Sequence, residues 1–454
     1  MFDSNLFKQA KHIHFIGIGG SGMFPIVEIL HDQGYTITGS DNNQTDTLTL
    51  EQKIGIPVHL GQRAENIEGA DFIVYTAAIM EDNPELIAAR ASGVPVAERA
   101  EVLGYLTGLY PDCICISGTH GKTTTTAMLT QALMHAGVDP TAVIGGKLPL
   151  IGGNGRVGKG ECMVCEACEF NDHFLQLAPD VSVILNVDAD HLEYFGTLEN
   201  IIRSFHKFAQ MTSRTVIVNG DDPNAMKAVA GVEGKQIITF GLDPKNDYVA
   251  ENIRVKGTQM TFNVRCEGKL LEKLTVNVPG QHNVYNALAA FAAAMQTKCS
   301  VALVREGIKA FHGAGRRFEV LGKVNGVTIA DDYAHHPTEL TATLKAARGL
   351  GFRKIWAVFQ PFTYSRTKLL MDDFAKALSL ADYVVMSEIM GSREKNTDGV
   401  YTSQLAEKIP GSVWFPEFEE IAAYVMAHAE SGDLVITLGC GDVYKCAKLM
   451  LKHG

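Results

Sequence analysis

The sequence predicts a mixed α/β protein built as three domains in a row. Three observations point there. At 454 residues the chain is too long for one hydrophobic core. Short apolar runs alternate with helical patterns along most of it, as expected of parallel sheets covered by helices. Two of those runs end in glycine-bearing turns that open helices, and the composition breaks again at Gly313-Ala314-Gly315-Arg316-Arg317-Phe318. The expected domains are 1–107, 108–312 and 313–454.

In the first domain, His12-Ile13-His14-Phe15-Ile16 reads as a strand. It runs into Gly17-Ile18-Gly19-Gly20-Ser21-Gly22, with a helix from about Met23 to Gln33 and a second strand at Tyr35–Gly39. Asp41 follows about 24 residues after Gly17, completing the βαβ layout of dinucleotide-binding, Rossmann-like domains. The pattern by itself fits any nucleotide diphosphate, because what it supplies is a helix start with backbone N–H groups. Phe72–Tyr75 and Val94–Val96 extend the same parallel sheet.

The central domain opens with Cys113-Ile114-Cys115-Ile116, a buried-strand pattern leading into Ser117-Gly118-Thr119-His120-Gly121-Lys122-Thr123-Thr124. A helix is expected from about Thr123 to His135. Strand, glycine turn, Lys and Thr together read as a shortened P-loop for ATP. Lys122 would reach the β- and γ-phosphates and the Thr123 hydroxyl would hold Mg²⁺. The standard pattern wants glycine where this chain has Ile116. Val143–Gly160 is glycine-rich and reads as a long loop, followed by strands at Cys162–Cys165 and Val181–Leu185. Residues 236–278 read as a small β insertion, and Val284–Met295 as an apolar helix. In the third domain, strands at Val327–Asp331, Ile355–Phe359, Tyr383–Met386, Val413–Phe415 and Leu434–Leu438 alternate with helices.

The hydrophobic fraction of 46% and charged fraction of 20% are those of a soluble globular protein. A net charge of −11 without a basic tract argues against nucleic-acid binding. No apolar run is long enough to span a membrane. Nine cysteines without an export-type leader point to reduced thiols and a cytoplasmic location. Cys162, Cys165 and Cys168 form C-x-x-C-x-x-C, read as small buried residues in preference to a metal cluster, since no fourth cysteine lies near.

Phosphoryl transfer needs groups that neutralise charge at the γ-phosphate. Glu166 ends one central strand and Asp190-His191 follow another, at the carboxyl ends where open α/β sheets bind ligands. Asn283 and Asn286 share a helix face, and Asn283 is explained equally as an N-cap or a nucleotide contact. Arg317 is either a cation for ATP or half of a solvated pair. Asp332, Tyr333, His335 and His336 cluster after the strand Val327–Asp331.

These residues resemble the ATP-dependent Mur ligases, which build peptidoglycan precursors in the bacterial cytoplasm. The resemblance runs through Gly118-Thr119-His120-Gly121-Lys122-Thr123-Thr124-Thr125, Glu166-Ala167-Cys168-Glu169 and Asn186-Val187-Asp188-Ala189-Asp190-His191. It continues in His282-Asn283-Val284-Tyr285-Asn286-Ala287, Gly315-Arg316-Arg317-Phe318 and Asp331-Asp332-Tyr333-Ala334-His335-His336-Pro337-Thr338-Glu339. It implies ATP and Mg²⁺, two ions with Mn²⁺ as a substitute. Gly118, Thr119, His120, Gly121, Lys122, Thr123, Thr124, Asn283, Asn286, Arg317 and Asp332 would contact ATP. Thr123, Glu166 and His191 would hold metal, and Lys122, Glu166, His191 and His335 would be catalytic. Gly17, Gly19, Gly20, Ser21, Gly22 and Asp41 would bind UDP of the sugar nucleotide, and Tyr333, His335 and Arg366 the amino acid.

Within the family the chain resembles the branch that joins UDP-N-acetylmuramate to L-alanine. The alternative is the recycling branch that adds a tripeptide to the same sugar. Other members place a metal-binding carbamylated lysine about fourteen residues after the Asp-His pair, where this chain has Phe205. Two departures stand out. Cys168 replaces an acid, and Phe362-Thr363 replace a His-Arg pair. The resemblance leaves monomer and homodimer open.

Overall fold

The computed structural model describes residues 2–392 and 394–452. Contacts divide the chain into two units. One holds 1–249, 264–272 and 287–308; the other holds 250–263, 273–286 and 309–454.

The first unit contains two sheets. β1 (His12–Ile16), β2 (Thr36–Asp41), β3 (Val58–Leu60), β4 (Phe72–Tyr75) and β5 (Val96–Glu98) form an all-parallel sheet in the order β3-β2-β1-β4-β5. The central position of β1 explains its nearly continuous burial, since both faces are covered. The second sheet is built from β6 (Asp112–Ser117), β7 (Thr141–Leu148), β8 (Gly153–Arg156), β9 (Cys162–Glu166), β10 (Val181–Ile184), β11 (Thr215–Asn219) and β12 (Gln236–Gly241). Their order is β12-β11-β10-β6-β9-β7-β8, parallel except for the β7–β8 pair. The helix Lys122–His135 is buried from Thr123 to Leu133, so its threonines sit inside the domain.

The glycine-rich stretch is not a long loop. It folds as β7, a single 3-10 turn at Pro149–Ile151 and β8. The glycines are there for close approach. A side-chain carbon at Gly155 would come within 2.7 Å of both the Pro25 backbone and Glu28, on the helix Phe24–Asp32. Cys162 and Cys165 point into the core of β9. Among the described residues, Cys162, Cys165 and Cys168 are not part of any group that converges closely enough to share an ion.

β13 (Tyr248–Lys256) pairs with β12 through its first residues. β14 (Gln259–Cys266), β15 (Lys269–Val276) and the helix His282–Ala294 follow. Of the β insertion expected at 236–278, the first strand, β12, belongs instead to the parallel sheet, paired with β11.

In the second unit, β16 (Glu319–Val324), β17 (Val327–Asp332), β18 (Ile355–Phe359), β19 (Tyr383–Met386), β20 (Val413–Trp414) and β21 (Leu434–Leu438) form a sheet ordered β16-β17-β21-β18-β19-β20. It is parallel apart from the antiparallel edge strand β16, which lacks a clear apolar run. Two apolar layers, around Phe359 and Phe374 on one face and Trp356 and Val443 on the other, cover it.

Candidate active site

β6 ends at Ser117 and the chain turns through Gly118 (φ 138°) and Gly121 (φ 86°), a region that favours glycine. At Gly118 a side chain would also lie 2.9 Å from Leu185. The turn is clasped by Asn186: its Oδ1 accepts the His120 N–H at 2.8 Å and its Nδ2 donates to the His120 carbonyl at 2.9 Å. The Thr119 N–H donates to the Asn186 carbonyl, and the Asp188 N–H donates to the Thr119 hydroxyl. His120 lies 3.4 Å from the Asp188 carboxylate.

Lys122 opens the helix and folds back over the turn. Its ammonium donates to the Gly118 carbonyl at 2.6 Å, the Thr119 carbonyl at 3.0 Å and Glu169 at 2.9 Å. Burial penalises the ammonium, but the charge and hydrogen bond of Glu169 outweigh that, and the Lys122 pKa is raised. Lys122 is therefore a cation. Next to it, Cys168 has its thiol pushed up to about 11, by burial first and by Glu169 second, so it stays a neutral thiol.

The Thr123 hydroxyl donates to Glu166 Oε1 at 3.0 Å, and Glu166 Oε2 accepts the Gly145 N–H at 2.6 Å. A side chain at Gly145 would fall 2.4 Å from Glu166, so β7 presents a bare backbone to that carboxylate. Thr123 and Glu166 thus converge as hard oxygen donors of the kind Mg²⁺ takes. His191 lies beside the segment that follows Glu169. Its ring lies 4.9 Å from that of Phe170, the residue after Glu169, and its backbone is left-handed at φ 52°. Asn171 and Asp172 are left-handed too, held by Tyr194 and Ser204 on the Asp172 carboxylate. Three such non-glycine residues so close to the P-loop mark a segment whose shape its surroundings impose. Phe205 is fully buried, edge to face with Phe174, and Lys207 is exposed.

The other glycine turn, Gly17–Gly22, is braced by β2. The N–H groups of Gly17 and Ile18 donate to the Ser40 carbonyl, and that of Gly19 to Asp41 Oδ2 at 3.1 Å. Asn154 of β8 donates to the Ser21 carbonyl, tying this turn to the central sheet. Glu98 pairs with His173 at 3.0 Å.

In the second unit, Asp332 accepts the N–H groups of Phe318 and Ala334, at 2.7 and 2.8 Å. Its pKa is raised to about 6 by burial, against the opposing pull of Arg317. Arg316 and Arg317 are not a solvated pair. Arg316 binds Asp331 and the Gly439 carbonyl, and both guanidiniums lie 4.9 Å from the Tyr333 ring. His335 Nδ1 donates to the Tyr333 carbonyl at 3.0 Å and sits 3.3 Å from Glu339. Arg366, on the short helix Tyr364–Leu369, carries its charge close enough to Cys440 to oppose the burial that raises that thiol. Asn283 is no N-cap. The helix begins at His282, so Asn283 sits in its first turn, donating to the Pro279 carbonyl and accepting from Asn286.

The structure brings Lys122, Thr123 and Glu166 together around one turn. It adds three residues that sequence reasoning passed over: Glu169, Asn186 and Gly145. The first two stood inside motifs already singled out, but nothing in their spacing tells which carboxylate meets the lysine.

Comparison with known proteins gives one consistent result. Residues 12–110 match the model "Mur ligase family, catalytic domain", 116–294 "Mur ligase middle domain" and 316–441 "Mur ligase, glutamate ligase domain". A UDP-N-acetylmuramate–L-alanine ligase of Agathobacter rectalis is 46% identical over 98% of this chain and 99% of its own length. One of Acetivibrio thermocellus is 43% identical over 100% and 97%. The solved UDP-N-acetylmuramate–alanine ligase of Thermotoga maritima aligns with a TM-score of 0.85 at 29% identity, covering 98% of this chain and 99% of that one. A murein peptide ligase of Psychrobacter arcticus aligns at 0.77 with 27% identity, covering 97% and 98%.

Proposed function

The chain belongs to the Mur ligase family, and from that premise we propose that it is an ATP-dependent ligase joining the lactyl carboxylate of UDP-N-acetylmuramate to L-alanine. The observation that carries the reading is end-to-end similarity, at 43–46% identity, to relatives bearing that activity in their names. We read the chain as domains 1–107, 108–312 and 313–454, a division the three family matches support. No helix among the described residues is long and apolar enough to cross a membrane. The nine free cysteines support a reducing, cytoplasmic location.

A carboxylate is a poor acyl donor. Its oxygen attacks the γ-phosphorus of ATP, ADP leaves, and an acyl phosphate forms. The amine of L-alanine then attacks the carbonyl carbon, and phosphate leaves from the tetrahedral intermediate with its electron pair. Lys122 holds the β- and γ-phosphates, exchanging its contacts with the Gly118 and Thr119 carbonyls for phosphate oxygens while Glu169 keeps it aimed. The convergent donors Thr123 and Glu166 fit a hard cation, and His191 would join them. Two Mg²⁺ ions, with Mn²⁺ as a substitute, would neutralise charge on the transferring phosphoryl group. His120, Asn283, Asn286, Arg317 and Asp332 meet the nucleotide, and Tyr333, His335 and Arg366 the amino acid. The Gly17–Gly22 turn takes UDP, and no hydride chemistry occurs there.

The test is ADP release with UDP-N-acetylmuramate and each of L-alanine, L-serine, glycine and L-alanyl-D-glutamyl-diaminopimelate. L-alanine is expected to give the highest kcat/KM. Preference for the tripeptide would move the chain to the murein peptide ligase activity, which the Psychrobacter likeness keeps in view.

A further inference from the structure

Two histidines of β1 face the helix Pro84–Ala91 and take no part in the chemistry proposed for the ligase. His12 is half-buried at the start of the strand, and His14 is fully buried. His12 Nδ1 donates to the Gly69 carbonyl at 2.7 Å, and its Nε2 lies 2.7 Å from the Thr38 hydroxyl. The same hydroxyl lies 2.8 Å from His14 Nδ1, and His14 Nε2 lies 2.7 Å from Glu85 Oε1. Glu85, the second residue of that helix, is fully buried too. Its Oε1 also accepts the Ser40 hydroxyl at 2.7 Å. Its Oε2 accepts the Arg63 N–H at 3.1 Å and the Asn66 amide at 2.9 Å.

The protons in this chain can be counted. A carbonyl only accepts, so His12 Nδ1 carries a proton. The Thr38 hydroxyl has one proton and donates to only one of its two imidazoles, so the other must donate to it. If His12 donates, it is doubly protonated. If His14 donates, a further proton lies between its Nε2 and Glu85. Either way the chain holds at least one proton more than two neutral imidazoles and a carboxylate would. Glu85 accepts three other hydrogen bonds, as a carboxylate does, which leaves that proton on an imidazole.

The neighbouring charges are engaged elsewhere. Asp71 accepts the backbone N–H groups of Lys11 and His12 at 2.9 Å, and Lys11 is exposed. Glu65, on the 3-10 turn Ala64–Ile67, is exposed, and Arg63 meets Glu85 through its backbone. Tyr75 of β4 packs under Arg90, and Glu98 of β5 pairs with His173. Asp41 lies one residue beyond Ser40 in β2, hence on the opposite face of the sheet. Ser40 is the functional end of the chain of contacts, because its carbonyl holds the Gly17 and Ile18 N–H groups at 2.8 and 3.0 Å.

We infer that His14 and Glu85 are positioning residues for the Gly17–Gly22 turn, and that their shared proton, taken up through His12 and Thr38, makes sugar-nucleotide binding weaken as pH rises. This rests on the reading of that turn given under Proposed function. Losing the proton leaves two lone pairs facing each other and a buried carboxylate without its counter-charge. Both act on Ser40, which shares Glu85 Oε1 with His14. The proton is held at lower pH and lost on the alkaline side, so affinity falls with rising pH.

Calorimetry on the full-length protein tests this with UDP-N-acetylmuramate and ATP from about pH 6.5 to about pH 8.5, where imidazoles titrate and uracil does not. The Kd for UDP-N-acetylmuramate should rise about five- to tenfold, on the scale of one charge-assisted hydrogen bond, and that for ATP less than about twofold. Glutamine at position 14 can donate to Glu85 and accept from Thr38 without an extra proton. His14→Gln should therefore still bind and flatten the profile to within about twofold. A histidine that only fills space would change affinity equally at every pH. Nuclear magnetic resonance on ring-nitrogen-labelled histidine should find three ring N–H protons on His12 and His14 together at the low end, and two at the high end. Should His14→Gln fail to fold by circular dichroism, His12→Gln carries the comparison, since its amide donates to Thr38 and frees Thr38 to donate to His14. Bound sugar nucleotide with a flat profile, or an unchanged slope in the glutamine variant, would overturn the inference alone. If the unaltered protein bound no UDP-N-acetylmuramate at any pH, the reading of the turn would fall, and the inference with it.

Discussion

The turn after β1 and the turn after β6 are both strand-to-helix connections at the carboxyl end of an interior parallel strand, yet they are equipped differently. The β6 turn carries its cation within the motif, and Lys122 is bound to the carbonyls of the very turn it serves. The β1 turn has no cation within the motif, and the guanidinium packed on its Gly22, that of Arg99, comes from 77 residues further along the chain. Their braces differ too. A side chain, Asn186, clasps the β6 turn through both the N–H and the carbonyl of His120, whereas the β1 turn hangs largely on the Ser40 carbonyl. A glycine pattern therefore marks where backbone N–H groups are gathered. What anion they receive, and how firmly, depends on charges that the pattern does not contain.

The sharpest way to break this comparison is Lys122→Ala. If the two turns serve different ligands, ADP formation should fall by about a thousandfold or more, as for loss of a principal electrostatic stabiliser. UDP-N-acetylmuramate affinity by calorimetry should stay within about twofold. A parallel loss of sugar-nucleotide binding would show that the turns do not divide the work.

The next effect is at the metal donors. His191→Ala should raise the Mg²⁺ concentration for half-maximal activity about 10–100-fold, on the scale of losing a group that supports a metal site. Added bicarbonate should change nothing, because Phe205 is buried against Phe174 and Lys207 faces solvent. Restoration by bicarbonate of activity lost on CO₂ depletion would reveal a carbamylated lysine and contradict this. Glu169→Gln comes third. It keeps the hydrogen bond to Lys122 but removes the charge, and kcat/KM for ATP should drop about tenfold, the difference between a charge-assisted and a neutral bond. Unchanged kinetics would mean that the loop carbonyls alone aim the lysine.

The contrast also separates what could be read from the sequence. Strands such as β1, β4 and β18 were legible to the residue, because buried parallel strands are short runs of apolar residues bounded by polar ones. That Lys122, Thr123 and Glu166 converge was legible because strand ends point them at one crevice. The β7–β8 hairpin was not, since its glycines exist to let Pro25 and Glu28 approach, a contact between segments more than a hundred residues apart. Nor did the glycine motif show that Arg99, 77 residues along the chain from Gly22, packs its guanidinium against it. Nor could spacing tell that Asn283 lies one residue inside its helix, because a helix start shifted by a residue or two leaves the motif unchanged.

The smallest expected effect concerns Asp41, the acid at the end of β2. The dinucleotide fingerprint would put such an acid on a ribose hydroxyl. In this structure its two oxygens accept the N–H groups of Gly19 and Asn43, which makes it a brace for the turn. The two roles predict different numbers. As a brace, Asp41→Asn keeps an oxygen acceptor and loses only the charge-assisted share of one bond, roughly 1 kcal/mol. Relief of repulsion from an approaching diphosphate offsets part of that. The KM for UDP-N-acetylmuramate should then rise about threefold, a net cost below that 1 kcal/mol. Asp41→Ala removes both acceptors and should cost about tenfold, with the KM for ATP unchanged in each. The turn itself would survive, because the Ser40 carbonyl still holds Gly17 and Ile18. If instead Asn proves as damaging as Ala, at about tenfold or more, the carboxylate must be meeting the ligand directly, and the β1 turn would be closer to the dinucleotide pattern than its bracing indicates.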